Sequence, residues 1–199
     1  MTPPPAPIGP GPLIALDLET TGLDPRHDVI LSFGTVPIVD GMVRMDRSTY
    51  RVMRSSKPVG VDVVRIHQLR PADLAVASPR ADTLYEFERI LGDHPLVVWS
   101  AWVETSFLAA TLGGRRRRWE RRMIDVRDLV KELDSRLGRP RDPHETLSAC
   151  AVRYGIPPGV PHHALADAFV TAQLFVVTRT MLSGPPRVRR SRQHRARIL

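Results

Sequence analysis

Two carboxylates close the apolar run in LIALDLETTGLD, residues 13 to 24. Asp17 and Glu19 are two positions apart, and in a strand that spacing puts both side chains on one face about 6.5–7 Å apart along the chain. Such a pair repels itself and is costly to take out of water unless a cation compensates it. Oxygen donors of this hardness select Mg²⁺ or Mn²⁺. A strand that has already emerged into solvent would leave both acids hydrated, so the pair alone keeps both readings open. Glu104, in WVETSFL, begins a helical pattern just after a short apolar run, where favourable interaction with the helix dipole is itself a sufficient reason for an acid. The stretch HHALADA at 162–168 supplies a third point. A helix starting near His163 places His163 and Asp167 on one face, four residues apart, with His162 on the loop before it. A capping or surface role accounts for these residues equally well.

Elements that would position these groups can be read from the apolar pattern. LIALDL has the continuous hydrophobicity of a central strand covered on both faces. The segment from Val29 to Met53 gives two strand-like stretches joined at Asp40-Gly41, a strong hairpin signal. A turn is expected at Pro71-Ala-Asp-Leu, then a helix carrying Leu84, Phe87, Ile90 and Leu91 with Ser78 as N-cap. LVVW and MIDV read as short buried strands. Helices are expected in VETSFLAATL, ended by glycines, in VRDLVKELDSRL with Gly138 just past its end, in ETLSACAVRY, and in HALADAFVTAQLFVVTRTML. A hairpin followed by alternating helix and strand implies an α/β fold, with a mixed sheet and helices packed on it.

Composition fits one soluble domain: 199 residues, 42% hydrophobic and 25% charged. The expected division is a disordered Pro-rich start (1–12), one folded domain (13–183) and a disordered Arg-rich tail (184–199). The single Cys150 excludes an internal disulfide framework and is expected in the core. The start carries no signal-peptide pattern, and no apolar run reaches the length needed to span a bilayer, so the reading is cytoplasmic with no membrane partner. The net charge of +8 is unevenly spread. Residues 184–199 and the run RRRRWERR (115–122) together hold twelve of the 29 basic residues and one of the 21 acids, leaving a body of 17 basic against 20 acidic residues. RRRRWERR is either a solvated run or a loop that tracks a phosphate backbone with Trp119 as a stacking platform.

The order of the acidic motifs along the chain is more telling than any one of them. Asp-x-Glu at the end of the first strand, an acid followed by x-x-Phe-Leu after a later one, and His-x-Ala-Leu-x-Asp-Ala opening the last helix resemble the DEDDh, or DnaQ-like, 3′→5′ exonucleases. That family includes the proofreading exonuclease domain of bacterial DNA polymerase III, ribonuclease T and oligoribonuclease. The likeness covers about residues 13–182, including LSFGTVPIVDG, IHQL at 66–69 and Ile124-Asp125. It implies a ribonuclease H-like mixed sheet of five strands flanked by helices. By the same resemblance Asp17, Glu19, Glu104 and Asp167 hold two Mg²⁺ or Mn²⁺ ions, and His162 is the general base. Thr20 and Leu23 contact the terminal nucleotide, and His67 approaches the substrate backbone. Glu104 stands where the family usually has Asp, and Trp99-Ser100 stand where it usually has His-Asn.

The implied function is metal-dependent hydrolysis of single-stranded or frayed 3′ ends of DNA to nucleoside 5′-monophosphates, in repair or proofreading, with a DNA polymerase or another replication or repair protein as a partner. Two alternatives stand beside it: a 3′→5′ exoribonuclease of the ribonuclease T type, and a catalytically weak scaffold that binds nucleic acid or a polymerase. Nothing in the sequence reads a 2′-hydroxyl.

Overall fold

β1 (Leu13–Thr20) lies inside the sheet because it is apolar on both sides: Leu13 and Ala15 face one core layer, and Ile14, Leu16 and Leu18 face the other. The structure, a computed structural model, describes residues 11–140 and 142–184. Almost all of the Pro-rich start and of the Arg-rich tail expected from the sequence lies outside the described residues. β2 (Ile30–Val39) pairs antiparallel along the length of β1, with Asp17 opposite Gly34, and its register shifts at Glu19/Thr20. Asp40 and Gly41 both adopt positive φ, 52° and 75°, the geometry that a two-residue hairpin turn requires. They lead into β3 (Met42–Val43). The second hairpin strand is not continuous as the sequence pattern suggests. A single 3-10 turn at Met45–Arg47 interrupts it, and β4 (Thr49–Val52) returns to pair with the other half of β2.

On the far side of β1, β5 (Leu96–Val98) and β6 (Met123–Asp125) add in parallel, giving the order β3-β2-β1-β5-β6 with β4 also on β2. Five positions across the sheet are thus filled by six strand segments, a refinement of the expected five strands. Three helices connect β4 to β5: α1 (Val61–His67), α2 (Pro71–Val76) and α3 (Arg80–Leu91). The expected turn at Pro71 is a helix, because proline is well suited to a first helical turn and the Asp73 carboxylate accepts the Arg70 N–H at 2.9 Å. The N-cap of α3 is Pro79, not Ser78, whose carbonyl instead accepts the Arg54 N–H. α4 (Ala101–Leu112) and α5 (Arg116–Glu120) connect β5 to β6, and α6 (Val126–Arg136), α7 (Leu147–Arg153) and α8 (Ala164–Ser183) complete the chain.

The sheet divides the core. α6, α7 and α8 cover one face through Val126, Val130, Ala151, Ala168, Ala172 and Phe175, while α3 and α4 cover the other through Phe87, Leu91, Phe107 and Leu108. Phe33 and Phe87 stack at 4.1 Å on the second side. Trp119 is no stacking platform: it is 4% exposed in this layer, and its Nε1–H donates to the Gly113 carbonyl at 2.9 Å. α8 corrects the expectation that no apolar run is of membrane-spanning length, since it has 20 residues, with a mean hydropathy of 1.3 over an 18-residue stretch. It packs against β1, β2, α6 and α7 instead and buries nine residues in the protein core.

Gly34 determines how closely α8 approaches the sheet. A Cβ at this position would fall 2.3 Å from the Ala164 carbonyl group and the Leu165 nitrogen, all backbone atoms. Gly34→Ala should therefore force the first turn of α8 off the sheet, lowering stability by about 1–3 kcal/mol by overpacking. Activity should fall as well, since the turn that moves carries Asp167. Calorimetry and a turnover assay on one preparation check this; a variant with unchanged Tm and kcat would show that α8 yields without consequence.

Candidate active site

β1 ends with Asp17 and Glu19 on the face covered by α8, and the first turn of α8 brings Asp167 to them. One oxygen from each of the three carboxylates lies within 4.8 Å of the other two. The fourth acid comes from a different layer. Glu104 sits in the first turn of α4, just past the end of β5, and is 5% exposed. Its Oε2 is buried and has no hydrogen-bond partner among the described residues. Asp125 sets the start of α4 by accepting the Ala101 N–H at 2.9 Å, while its other oxygen caps α6 by accepting the Arg127 N–H at 2.9 Å. The sequence reading gave Asp125 no role; a strand-terminal Asp before a helix is the ordinary N-cap signal that could have marked it.

Burial pushes the Glu19 carboxyl up to about 8, reinforced by the charge of Asp167. Glu104 is also pushed up to about 8, chiefly by burial, with Asp125 and Glu19 adding repulsion. Asp17 is raised well above the usual carboxylate range by burial and then by Glu104, Glu19 and Asp167. Burial raises Asp167 too, opposed by the His162 N–H that its Oδ2 accepts at 2.8 Å. Among the described residues no Lys or Arg forms an ion pair with these four acids. An unpartnered buried carboxylate oxygen beside three converging acids is a donor set that fits a hard divalent cation.

This arrangement fixes the sign of a pH effect. The folded protein retains protons on Glu19 and Glu104 that the unfolded chain releases near pH 4.5, so without metal stability should fall as pH rises from about 4.5 to about 8. Added Mn²⁺ should raise Tm more at pH 8 than at pH 6, because the ion competes with fewer protons. Thermal melts of the chelated and metal-loaded protein across this range check both statements. A chelated Glu19→Gln variant should show a shallower decline; one as steep as wild type would remove these acids as its source.

A cavity of about 370 Å³ opens above the acids. It is lined by Asp17, Glu19 and Glu104, by Thr20 and the exposed Leu23, by Val63, Ile66 and His67 of α1, by Trp99, Ser100 and Val103, and by His162. The recess beside Trp99, lined by Arg127, Lys131 and Asp134, measures only about 30 Å³, less than a tenth of that cavity. Asp28, unmarked in the sequence reading, shapes the Leu23 loop: it accepts the Thr21 hydroxyl at 2.8 Å and the Asp24 N–H at 2.9 Å, and the loop closes over it at Gly22.

The two adjacent histidines have different surroundings. His163 is the N-cap of α8; its Nδ1 accepts the Ala166 N–H at 3.4 Å, and its ring stacks on Tyr50 at 4.4 Å. His162 has a left-handed backbone, φ 58°, which turns it away from the helix, and it is exposed at the cavity. The Nδ1 of His67 accepts the Leu69 N–H at 3.0 Å, so the proton of the neutral ring is on Nε2, which is buried and has no partner among the described residues. Burial lowers the pKa of this imidazole and favours that neutral form. All eight residues singled out from the sequence thus converge on one cavity or on the acid cluster at its floor.

Comparison with known proteins agrees with this geometry. Residues 14–175 match the exonuclease family RNase_T. The chain is 30% identical over 172 residues to the PolC-type DNA polymerase III of Thermotoga petrophila, and 30% over 170 residues to that of Thermotoga maritima; 82% and 85% of the chain are matched, against 11% and 12% of those polymerases. The chain therefore spans only about a ninth of the length of these curated relatives. Among solved structures, E. coli exonuclease I in complex with a dT13 oligonucleotide superposes with a TM-score of 0.73 at 13% identity, covering 86% of this chain and 42% of that one. Exonuclease X in complex with 5′ overhanging duplex DNA superposes with a TM-score of 0.61 at 22% identity, covering 83% and 90%. With its family match spanning most of the length, its acids in DEDDh order and its ribonuclease H-like sheet, the chain belongs to the exonuclease family.

Proposed function

We propose that this chain is a metal-dependent 3′→5′ exonuclease that releases nucleoside 5′-monophosphates from single-stranded or frayed 3′ ends of DNA. The observation that carries the reading is the grouping of three carboxylates from β1 and α8 with Glu104 of α4, which has a buried oxygen unpartnered among the described residues and lines the same cavity as Asp17, Glu19 and the loop histidine His162. Asp17, Glu19, Glu104 and Asp167 would hold two divalent ions. When bound, these ions supply Lewis-acid stabilisation of the attacking and leaving oxygens of a phosphodiester. The residues do the rest. His162, on a loop free to approach the scissile phosphate, takes a proton from the attacking water. His67, which lines the cavity, approaches the substrate backbone. Leu23 packs against the terminal base, and Thr20 lies beside it. The partial match to PolC-type polymerases supports DNA over RNA and a polymerase as partner.

The test is an end-labelled assay with DNA and RNA oligonucleotides, single- and double-stranded, in Mg²⁺ or Mn²⁺. The expected result is stepwise loss from the 3′ end of single-stranded DNA, 5′-monophosphate products, slower cleavage of RNA, and arrest on adding EDTA. Activity that survives exhaustive chelation would remove the metals, and 3′-monophosphate products would remove the mechanism.

A further inference from the structure

The arginines around α5 play no part in this site. Arg115 to Arg118 and Arg121 are all exposed, and among the described residues only Arg116 of these five has a carboxylate within ion-pair distance, Glu120 at 3.1 Å. Arg122, in contrast, is used by the fold: it donates to the carbonyls of Leu91 and His94 and lies over the Trp119 ring. Arg118 leans on the same ring at 5.9 Å. Arg115, Arg117 and Arg121 have no such role among the described residues. Like charges crowded on one helical turn repel, so the fold gains nothing from them in isolation.

Topology places these arginines far from the cavity. Leu96 pairs with Ile14 and Met123, and its N–H donates to the Arg122 carbonyl, so α5 ends where β5 and β6 begin. The acids of β1 lie toward the opposite ends of the strands, Asp17 three and Glu19 five residues beyond Ile14. That is about 10 and about 16 Å of strand.

We infer that the pole formed by α5 is a sequence-independent binding surface for the phosphate backbone of nucleic acid, separate from the catalytic cavity, which holds the substrate at a stretch remote from its 3′ end. The inference rests on the exonuclease reading for its substrate. A phosphate backbone fits better than an acidic protein surface, because protein interfaces centre on buried aromatic or apolar anchors and the one aromatic residue of this segment, Trp119, is already committed to the core. Closely spaced guanidinium groups without an apolar anchor match a repeating array of phosphates, to which each can donate two parallel hydrogen bonds.

The test uses the full chain, a triple variant Arg115→Ser/Arg117→Ser/Arg121→Ser and the matching triple Arg→Lys variant. Binding of a 20-base-pair DNA duplex in EDTA is followed by fluorescence anisotropy from about 50 to 300 mM salt. The slope of log affinity against log salt should become shallower by about two to three in the Ser variant, on the scale of about 0.9 for each phosphate that is no longer neutralised. Affinity near 100 mM salt should fall at least tenfold, while the Lys variant keeps most of both. Turnover of a trinucleotide, too short to reach the pole, should be unchanged, whereas KM for a 30-mer should rise. An unchanged slope in the Ser variant overturns the inference, and so does a Lys variant as weak as the Ser variant. A wild-type protein that degrades no oligonucleotide but shows the arginine-dependent slope would end the exonuclease reading and leave this one standing. One that degrades them with no such slope would end this inference alone.

Discussion

Asp17→Asn should lower kcat on a single-stranded DNA oligonucleotide by on the order of a thousandfold, the scale expected when several kcal/mol of electrostatic stabilisation are lost. Glu104→Gln should come close to it, while Glu104→Asp should retain a measurable fraction, since it keeps the charge and only shortens the reach by one methylene. Asp17→Asn combined with Asp167→Asn should be little worse than either alone, because groups that hold one ion act as a unit. The same variants make an opposite prediction for stability. Asp17 is surrounded by Glu104, Glu19 and Asp167, and its burial disfavours the charge. Removing that charge should therefore raise Tm in chelated protein at pH 8 and reduce the rise that Mn²⁺ produces. A purely structural acid would behave differently, losing stability and activity together. Fully active Glu104→Gln would return Glu104 to the role of a residue that favours the helix dipole, and the site would then consist of three acids.

Much of this site could be read before any coordinates because its parts are local. Asp17 and Glu19 share a face through strand periodicity alone, and β1 is central because its apolar run leaves no polar side. What could not be read locally depends on interactions between separate segments. Asp125 joins α4 to α6, Gly34 admits α8 to the sheet, and Asp28 shapes the loop that carries Leu23. Each is an unremarkable residue until its partner elsewhere in the chain is known. Trp119 misleads in the other direction: the arginines on both sides of it in RRRRWERR suggest an exposed loop, but Trp119 closes the second core layer and carries a helical turn with it. Tertiary burial decided that case against local charge. α2 was missed because Pro-Ala-Asp is equally good turn and first-turn helix chemistry, and the deciding interaction, burial of Leu74, is long-range.

Replacing His162 should cost kcat roughly a hundredfold or more, the usual scale for losing a general base, and replacing His163 should cost stability instead. Helical spacing alone would choose His163, four residues before Asp167; we propose its neighbour, from what surrounds each ring. The His163 ring is fixed between the Ala166 N–H and the face of Tyr50, so His163→Ala removes an N-cap, worth about 0.5–2 kcal/mol, and a stacked pair. Among the described residues His162 is held through its backbone, whose N–H donates to Asp167 Oδ2, while its ring makes no hydrogen bond and lines the cavity. The left-handed φ of His162 complicates the usual alanine substitution, because Ala in that region adds strain that could displace Asp167. His162→Asn is the better probe, since Asn tolerates this conformation while offering no base of comparable strength. It should leave Tm and Mn²⁺ binding near wild type and remove most of kcat. His163→Asn, which can still cap the helix, should keep most of the activity that His163→Ala loses. The assignment fails if His162→Asn turns over substrate at the wild-type rate while His163→Asn, folded and metal-bound, does not.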